Sequence, residues 1–287
     1  MPLIDVQNAS FTYPGSARPA IDRASLSVAA GEYIAVVGLN GSGKSTLLRL
    51  LDGLLAPESG RVLVDGIDAS DHSRARDVRS RIALVFQSPI DQLVSTVAEE
   101  DVAFGPENLG LPREEIGRRV DEALRAVGLL SERKRPCVFL SAGQQQRLAL
   151  AGALAMRPGC IAFDEATSML DPAGRRDVLD LMDTLVSAGT AVVHVTHDMD
   201  EAARASRIVV LDSGLVAFDG SPHEFFMDGT GSGLSRRLGL PRCAKAASAL
   251  GLEPRPREGA ASLAARILEA AGGLGLARAA LSRARDR

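Results

Sequence analysis

Tryptophan is absent from this 287-residue sequence, tyrosine occurs twice and phenylalanine eight times. With aromatics at 3% and hydrophobic residues at 46%, a sizeable core has to be filled by Leu, Val, Ile and Ala, which suits an α/β protein. Cysteine is scarce as well. Cys137, Cys160 and Cys243 show no C-x-x-C spacing, which argues against a zinc site or a disulfide framework and fits a reducing compartment. No stretch holds the roughly 20 apolar residues needed to cross a bilayer, and no basic segment followed by an apolar run opens the chain. We therefore expect a soluble chain whose membrane role needs a partner. A positive excess is missing too: 33 Lys and Arg face 36 Asp and Glu, for a net charge of −3. That balance argues against a general nucleic-acid binder, whose affinity comes from clustered cations.

What is present is an alternation of short apolar runs with helical patterns. YIAVVG (33–38), IALVFQ (82–87), CIAFDE (160–165) and AVVHVTHD (191–198) are continuous apolar segments ending in polar residues, as expected of strands buried on both faces of a sheet. Functional groups then belong at their C-terminal ends. The first thirty residues, RVLVDG and RIVVLDSGLVAFDG add further β signals. From Gln87 to Ser141 strand signals vanish, which predicts a helical subdomain over about 88–158. There Thr96 and Glu99, at capping-box spacing, predict a helix that Gly105-Pro106 ends. A second helix is predicted after Pro112, with Ile116, Val120, Leu124 and Val127 on one face and Gly128 as its stop. After Phe226 come a turn at DGTGSG and helical patterns near 241–250 and 260–271. The division expected is a core over 1–225 and a helical extension over 226–287.

GLNGSGKS, Gly38 to Ser45, lies between the YIAVV strand and a helical TLLRLLDGL, which is the context of a P-loop. Gly38, Asn40, Gly41, Ser42 and Gly43 let backbone N–H groups wrap phosphates; Lys44 neutralises β- and γ-phosphate charge, Ser45 is a ligand for Mg²⁺, and Thr46 closes the motif. The cofactors expected are ATP and Mg²⁺. Asp164 and Glu165 end the CIAF strand, Asp164 as a second Mg²⁺ ligand and Glu165 as general base for the attacking water. At two other strand ends, Gln87 is expected to reach Mg²⁺ or that water, and His197 the γ-phosphate, while His194 takes a structural role. Tyr13 offers an aromatic face to adenine, worth about 1–3 kcal/mol per stacked base, with a turn aromatic packed on the core as the rival reading. Ser141 and Gln144 form an S-x-x-Q capping box, and Ala142-Gly143 keep that helix start bare enough to approach a phosphate.

The P-loop, Gln87, LSAGQ, Asp164-Glu165, the Ser168 to Asp171 stretch and His197 follow one another in the order seen in ATP-binding cassette ATPases, which the chain resembles from about residue 3 to 225. The resemblance implies a P-loop core with an N-terminal antiparallel β subdomain. It also implies that Ser141, Gly143 and Gln144 close on ATP held by a second ATPase chain. Ala142 departs from the glycine usual there, so slower closure is expected rather than inactivity.

The segment FQSPIDQLVSTVAEEDVAFGPENLGL (86–111), DEATSMLDP and the tail from LGLPR resemble the ATPase subunits of energy-coupling-factor importers of vitamins or cobalt and nickel ions. That resemblance implies a second ATPase subunit, identical or paralogous, a transmembrane coupling subunit and a substrate-capture membrane protein, and hence a peripheral location on the cytoplasmic side of the cell membrane. Ile90, Leu93 and Val94 would form the docking surface, beside acidic Asp91, Glu99, Glu100 and Asp101. The alternatives are the ATPase of a conventional ABC transporter, separated by the segment after Gln87, and a soluble nucleic-acid-associated cassette.

Overall fold

A computed structural model describes residues 1–227 and 232–270. The chain opens with β1 (Ile4–Phe11), β2 (Ile21–Val28) and β3 (Tyr33–Val37), followed by α1 (Lys44–Leu51), β4 (Ser59–Val64), β5 (Ile67–Asp68), α2 (Ala75–Arg81) and β6 (Ile82–Val85). Helices α3 (Ala98–Asn108), α4 (Arg113–Ala126) and α5 (Ala142–Met156) come next. The second half alternates β7 (Cys160–Asp164), α6 (Pro172–Ser187), β8 (Ala191–Val195), α7 (Met199–Ala202), β9 (Arg207–Asp212) and β10 (Leu215–Gly220). The short helices α8 (Pro222–Phe226), α9 (Ser232–Leu238) and α10 (Arg242–Ala249) follow, then a helical run over 260–270.

Two sheets enclose α1. One is antiparallel, β2-β1-β4-β5; the other has the order β10-β9-β3-β8-β7-β6 and is parallel from β9 to β6, with β10 added antiparallel at its edge. The class expected from the sequence, an α/β P-loop core with an antiparallel β subdomain, is the one observed. Every residue of β3, β7 and β8 is buried. Their side chains alternate between two cores: Ile34, Val36, Cys160 and Ala162 face α1, whereas Tyr33, Ala35, Ile161 and Phe163 face the helical side. Both cores are aliphatic, as the shortage of aromatics requires.

Helix α4 ends as expected, with Gly128 in the left-handed region beyond it. The predicted start and stop of α3 are both wrong. Thr96 does not cap it; the helix begins at Ala98, and it runs through Gly105-Pro106 to Asn108. Gly105 is inside the helix because Met156 of α5 occupies the place its side chain would take, with Met156 Cγ 2.7 Å from a β-carbon built there. Tertiary packing overrides the local signal. The turn predicted at DGTGSG falls at 228–231 outside the described residues, while Ser232 and Gly233 open α9. The last helical pattern is described only as far as residue 270.

Candidate functional site

The P-loop joins β3 to α1, and its glycines are required by the backbone. Gly43 precedes α1 at φ +104°, and a β-carbon there would lie 2.3 Å from the Ala20 carbonyl oxygen. At Gly38 a β-carbon would lie 2.3 Å from the Leu211 carbonyl oxygen. Helix α1 has no side-chain cap, so the amides of its first turn are left for something outside the helix. The Ser42 hydroxyl is buried without a hydrogen-bond partner. Unspent donors at the positive end of a helix make an anion cradle. Lys44 is buried beside it and donates to the carbonyls of Gly38 (3.0 Å) and Leu39 (3.1 Å). Burial lowers its pKa, opposed by Glu165 and Asp164.

Asp164, at the end of β7, accepts a hydrogen bond of 3.0 Å from the Ser45 hydroxyl, and burial raises its pKa against that bond. Two hard oxygens adjoining a phosphate cradle suit Mg²⁺, which prefers few protein ligands together with phosphate oxygens and water.

One residue further, Glu165 leaves the strand at φ +49°. Its Oε2 accepts from Gln87 Nε2 at 3.2 Å and lies 3.5 Å from His197 Nδ1. Three strand ends far apart in sequence thus bring Glu165, Gln87 and His197 together. Gln87 bonds Glu165 rather than Ser45 or Asp164. His194 takes the structural place expected of it: it is fully buried, with Tyr33 Oη 3.1 Å from Nδ1, and burial pushes its pKa down to about 3.

Tyr13 stands edge-on to Phe11 and places its hydroxyl 3.3 Å from Thr46 Oγ1 and 3.2 Å from Arg49. It is therefore beside the P-loop helix. Asn40 and Gly41 form the exposed rim of the loop. Ser141 and Gln144 make the expected reciprocal capping box on α5, Gln144 N donating to Ser141 Oγ at 3.2 Å and Ser141 N to Gln144 Oε1 at 2.9 Å. Ser141 and Ala142 are exposed, Gly143 lies against Leu170, and these residues form no hydrogen bond with the P-loop among the described residues.

The expected docking surface needs correction. Leu93 is half-buried and packs on the core. Glu99 pairs with Arg133 and Lys134 of the same chain, and Asp101 is buried, accepting the Val94 and Ser95 amides at 2.7 and 2.9 Å. Only Ile90, Val94, Asp91 and Glu100 remain exposed. Val138 and Phe139, which the sequence did not single out, are 78% and 68% exposed on the adjoining loop, joined to the first by the Val97 to Pro136 bridge. The sequence reading also missed Thr167, Thr196 and Glu201, whose roles depend on contacts across the fold.

This fold and site define a P-loop nucleotide-hydrolysing cassette. A family described as ABC transporter matches residues 21–168. Over 266 residues the chain is 48% identical to the energy-coupling factor transporter ATP-binding protein EcfA1 of Symbiobacterium thermophilum, covering 89% of this chain and 92% of the relative. It is 47% identical to EcfA1 of Clostridioides difficile, covering 78% and 82%. Among solved structures it is similar to cbiO1 from Clostridium perfringens, described as part of the ABC transporter complex cbiONQ, with a TM-score of 0.71 and 33% identity over 83% of this chain and 96% of that one. A dimeric post-hydrolysis structure of the cassette MJ0796, bound to ADP and Pi, has a TM-score of 0.70 and 31% identity over 76% and 98%. The chain belongs to the ABC transporter family, and within it to the energy-coupling factor transporter ATP-binding proteins. It is an ATPase subunit.

Proposed function

We propose that this chain hydrolyses ATP to power import of a micronutrient, a vitamin or a cobalt or nickel ion, on the cytoplasmic face of the membrane. The observation that carries the catalytic reading is the convergence of Gln87, Glu165 and His197 beside the Ser45–Asp164 pair. Among the described residues no helix is long and apolar enough to cross a membrane. Attachment therefore rests on a transmembrane coupling subunit, which works with a substrate-capture protein. Ile90, Val94, Val138 and Phe139, with Glu100 at their margin, form the docking surface in this reading. The core spans 1–225, with its helical subdomain over about 88–158, and the extension from 226 helps hold two ATPase subunits together.

In the reaction, Gly38 to Thr46 hold the phosphates of ATP and Tyr13 meets the adenine. Lys44 opposes the charge that grows on the β- and γ-phosphate oxygens. Ser45, Asp164 and Gln87 would hold Mg²⁺, which supplies further neutralisation of that charge when bound. Gln87 and His197 both engage Oε2 of Glu165, which leaves its other oxygen to accept the proton of the attacking water. Ser141, Gly143 and Gln144 complete the site on the second ATPase subunit. The cap of α5, exposed and without a hydrogen bond to the P-loop of its own chain among the described residues, supports this trans role.

Glu165→Gln tests the catalytic assignment. ATP binding should persist while steady-state hydrolysis falls by about 10²-fold or more. Turnover near the parent rate would overturn Glu165 as the base.

A further inference from the structure

Glu165 and His197 meet across 3.5 Å; the Glu165 side chain is largely buried, whereas that of His197 is 65% exposed and is not held by burial at that contact. Something else must fix the two loops relative to each other. The residue beside His197, Thr196, is 2% exposed and donates its hydroxyl to Glu201 Oε2 at 2.7 Å. Thr167, two residues beyond Glu165 and 3% exposed, donates to the same oxygen at 3.0 Å. Glu201 belongs to α7, is itself 3% exposed, and turns its other oxygen, which has no hydrogen-bond partner, toward Arg175 Nε at 3.5 Å.

The same network holds the far side of His197. Asp198 accepts from Arg175 at 3.0 Å, and its amide donates to Thr196 Oγ1 at 3.0 Å. Both neighbours of His197 are thus fastened, while the imidazole itself is left to face Glu165. Glu165 stands in the left-handed region at φ +49°, a conformation that a side chain disfavours and that persists only when surrounding bonds over-determine it. One of its own anchors is the backbone bond from Glu165 N to Val195 O at 3.1 Å. The Glu165 carbonyl accepts from Ser168 N at 3.0 Å, and the Thr167 tether follows two residues on.

We infer that Glu201 is a positioning residue which, by accepting hydrogen bonds from Thr167 and Thr196 at one oxygen, holds the loops of Glu165 and His197 in hydrolytic register. Burying a carboxylate in the hydrophobic core would otherwise be unfavourable, and a cap or a surface pair needs no such burial. Glu201 touches neither nucleotide nor water in this reading. The inference rests on the assignment of Glu165 and His197 to hydrolysis.

Direct removal of Glu201 risks the fold, so the test uses its two partners in the full-length chain. Thr167→Val and Thr196→Val keep shape and remove the hydroxyl; Thr167→Ser and Thr196→Ser keep the hydroxyl. ATP affinity and steady-state hydrolysis are measured for each, and for the double valine variant. Each valine variant should bind ATP as the parent does while kcat falls about 10-fold with KM unchanged. Each serine variant should recover most of that loss. The double valine variant should be little worse than either single one, because the tether through Glu201 needs both arms and cutting either one already releases it. Valine variants that turn over at the parent rate would overturn the inference, as would serine variants no better than valine or losses that multiply fully in the double variant. Glu165→Gln, run alongside, separates the two readings: if it too hydrolyses at the parent rate, the underlying assignment has failed, whereas an inactive Glu165→Gln beside fully active valine variants contradicts the role of Glu201 alone.

Discussion

Gly43 and Gly41 have the same side chain and a similar positive φ, yet the structure asks different things of them. A β-carbon at Gly41 meets nothing within 4 Å, whereas at Gly43 it meets the Ala20 carbonyl at 2.3 Å. Gly41→Ala should therefore impose backbone strain alone, about 1–2 kcal/mol. Gly43→Ala should be worse in thermal unfolding and should weaken ATP binding, because the loop has to move to relieve the clash. Equal effects of the two changes would contradict this account of the loop. A second residue-scale prediction concerns acid. His194 has its pKa pushed down to about 3 by burial, from 6.5. The unfolded chain therefore takes up a proton that the folded chain refuses, and this site withdraws stability as pH falls from about 6.5 toward 3. Replacing His194 with glutamine should flatten that part of the stability profile; an unchanged slope would show that His194 is not the group responsible. The P-loop was legible because eight adjacent residues carry it. The link from Thr167 to Glu201 was not, since the two are 34 positions apart and both residue types are common.

Among the elements, α3 marks where local reading fails. Gly105-Pro106 ordinarily ends a helix, but here Gly105 admits Met156 and the helix continues, its stop supplied by Gly110 at φ +71°. The acidic run at its start likewise looked like one surface and is three different things. Asp101→Ala should destabilise the fold by about 1–3 kcal/mol, because two loop amides lose their acceptor. Glu100→Arg should leave stability within about 0.5 kcal/mol of the parent. A melt in which both behave alike would contradict the division. On the neighbouring loops, Ile90→Ser with Phe139→Ser should weaken co-purification with the membrane partner and leave ATP binding intact; unimpaired co-purification at both low and high salt would argue against this docking surface. Val138 and Phe139 escaped the sequence reading because exposure of an apolar pair is set by the packing of its whole loop, which no periodicity announces.

For the molecule as a whole, the sheet order brings the P-loop, the Ser45–Asp164 pair and the Gln87, Glu165 and His197 cluster together at the strand ends, while the α5 cap stands exposed and forms no hydrogen bond with that P-loop among the described residues. The central claim is that a hydrolytic site combines the P-loop of one ATPase subunit with Ser141 of another. The direct measurement mixes two defective variants. Lys44→Ala loses a phosphate-binding charge and keeps its α5 cap; Ser141→Arg blocks closure and keeps its P-loop. If a paralogue supplies the second cassette, the two changes go on opposite partners. ATPase rate is followed against mixing ratio, with subunit exchange confirmed by a label. Each variant paired with itself should be nearly inactive, and hydrolysis should return on mixing, greatest near equal proportions, because one intact composite site forms. Exchanged dimers that bind ATP and hydrolyse no faster than either variant alone would contradict the account.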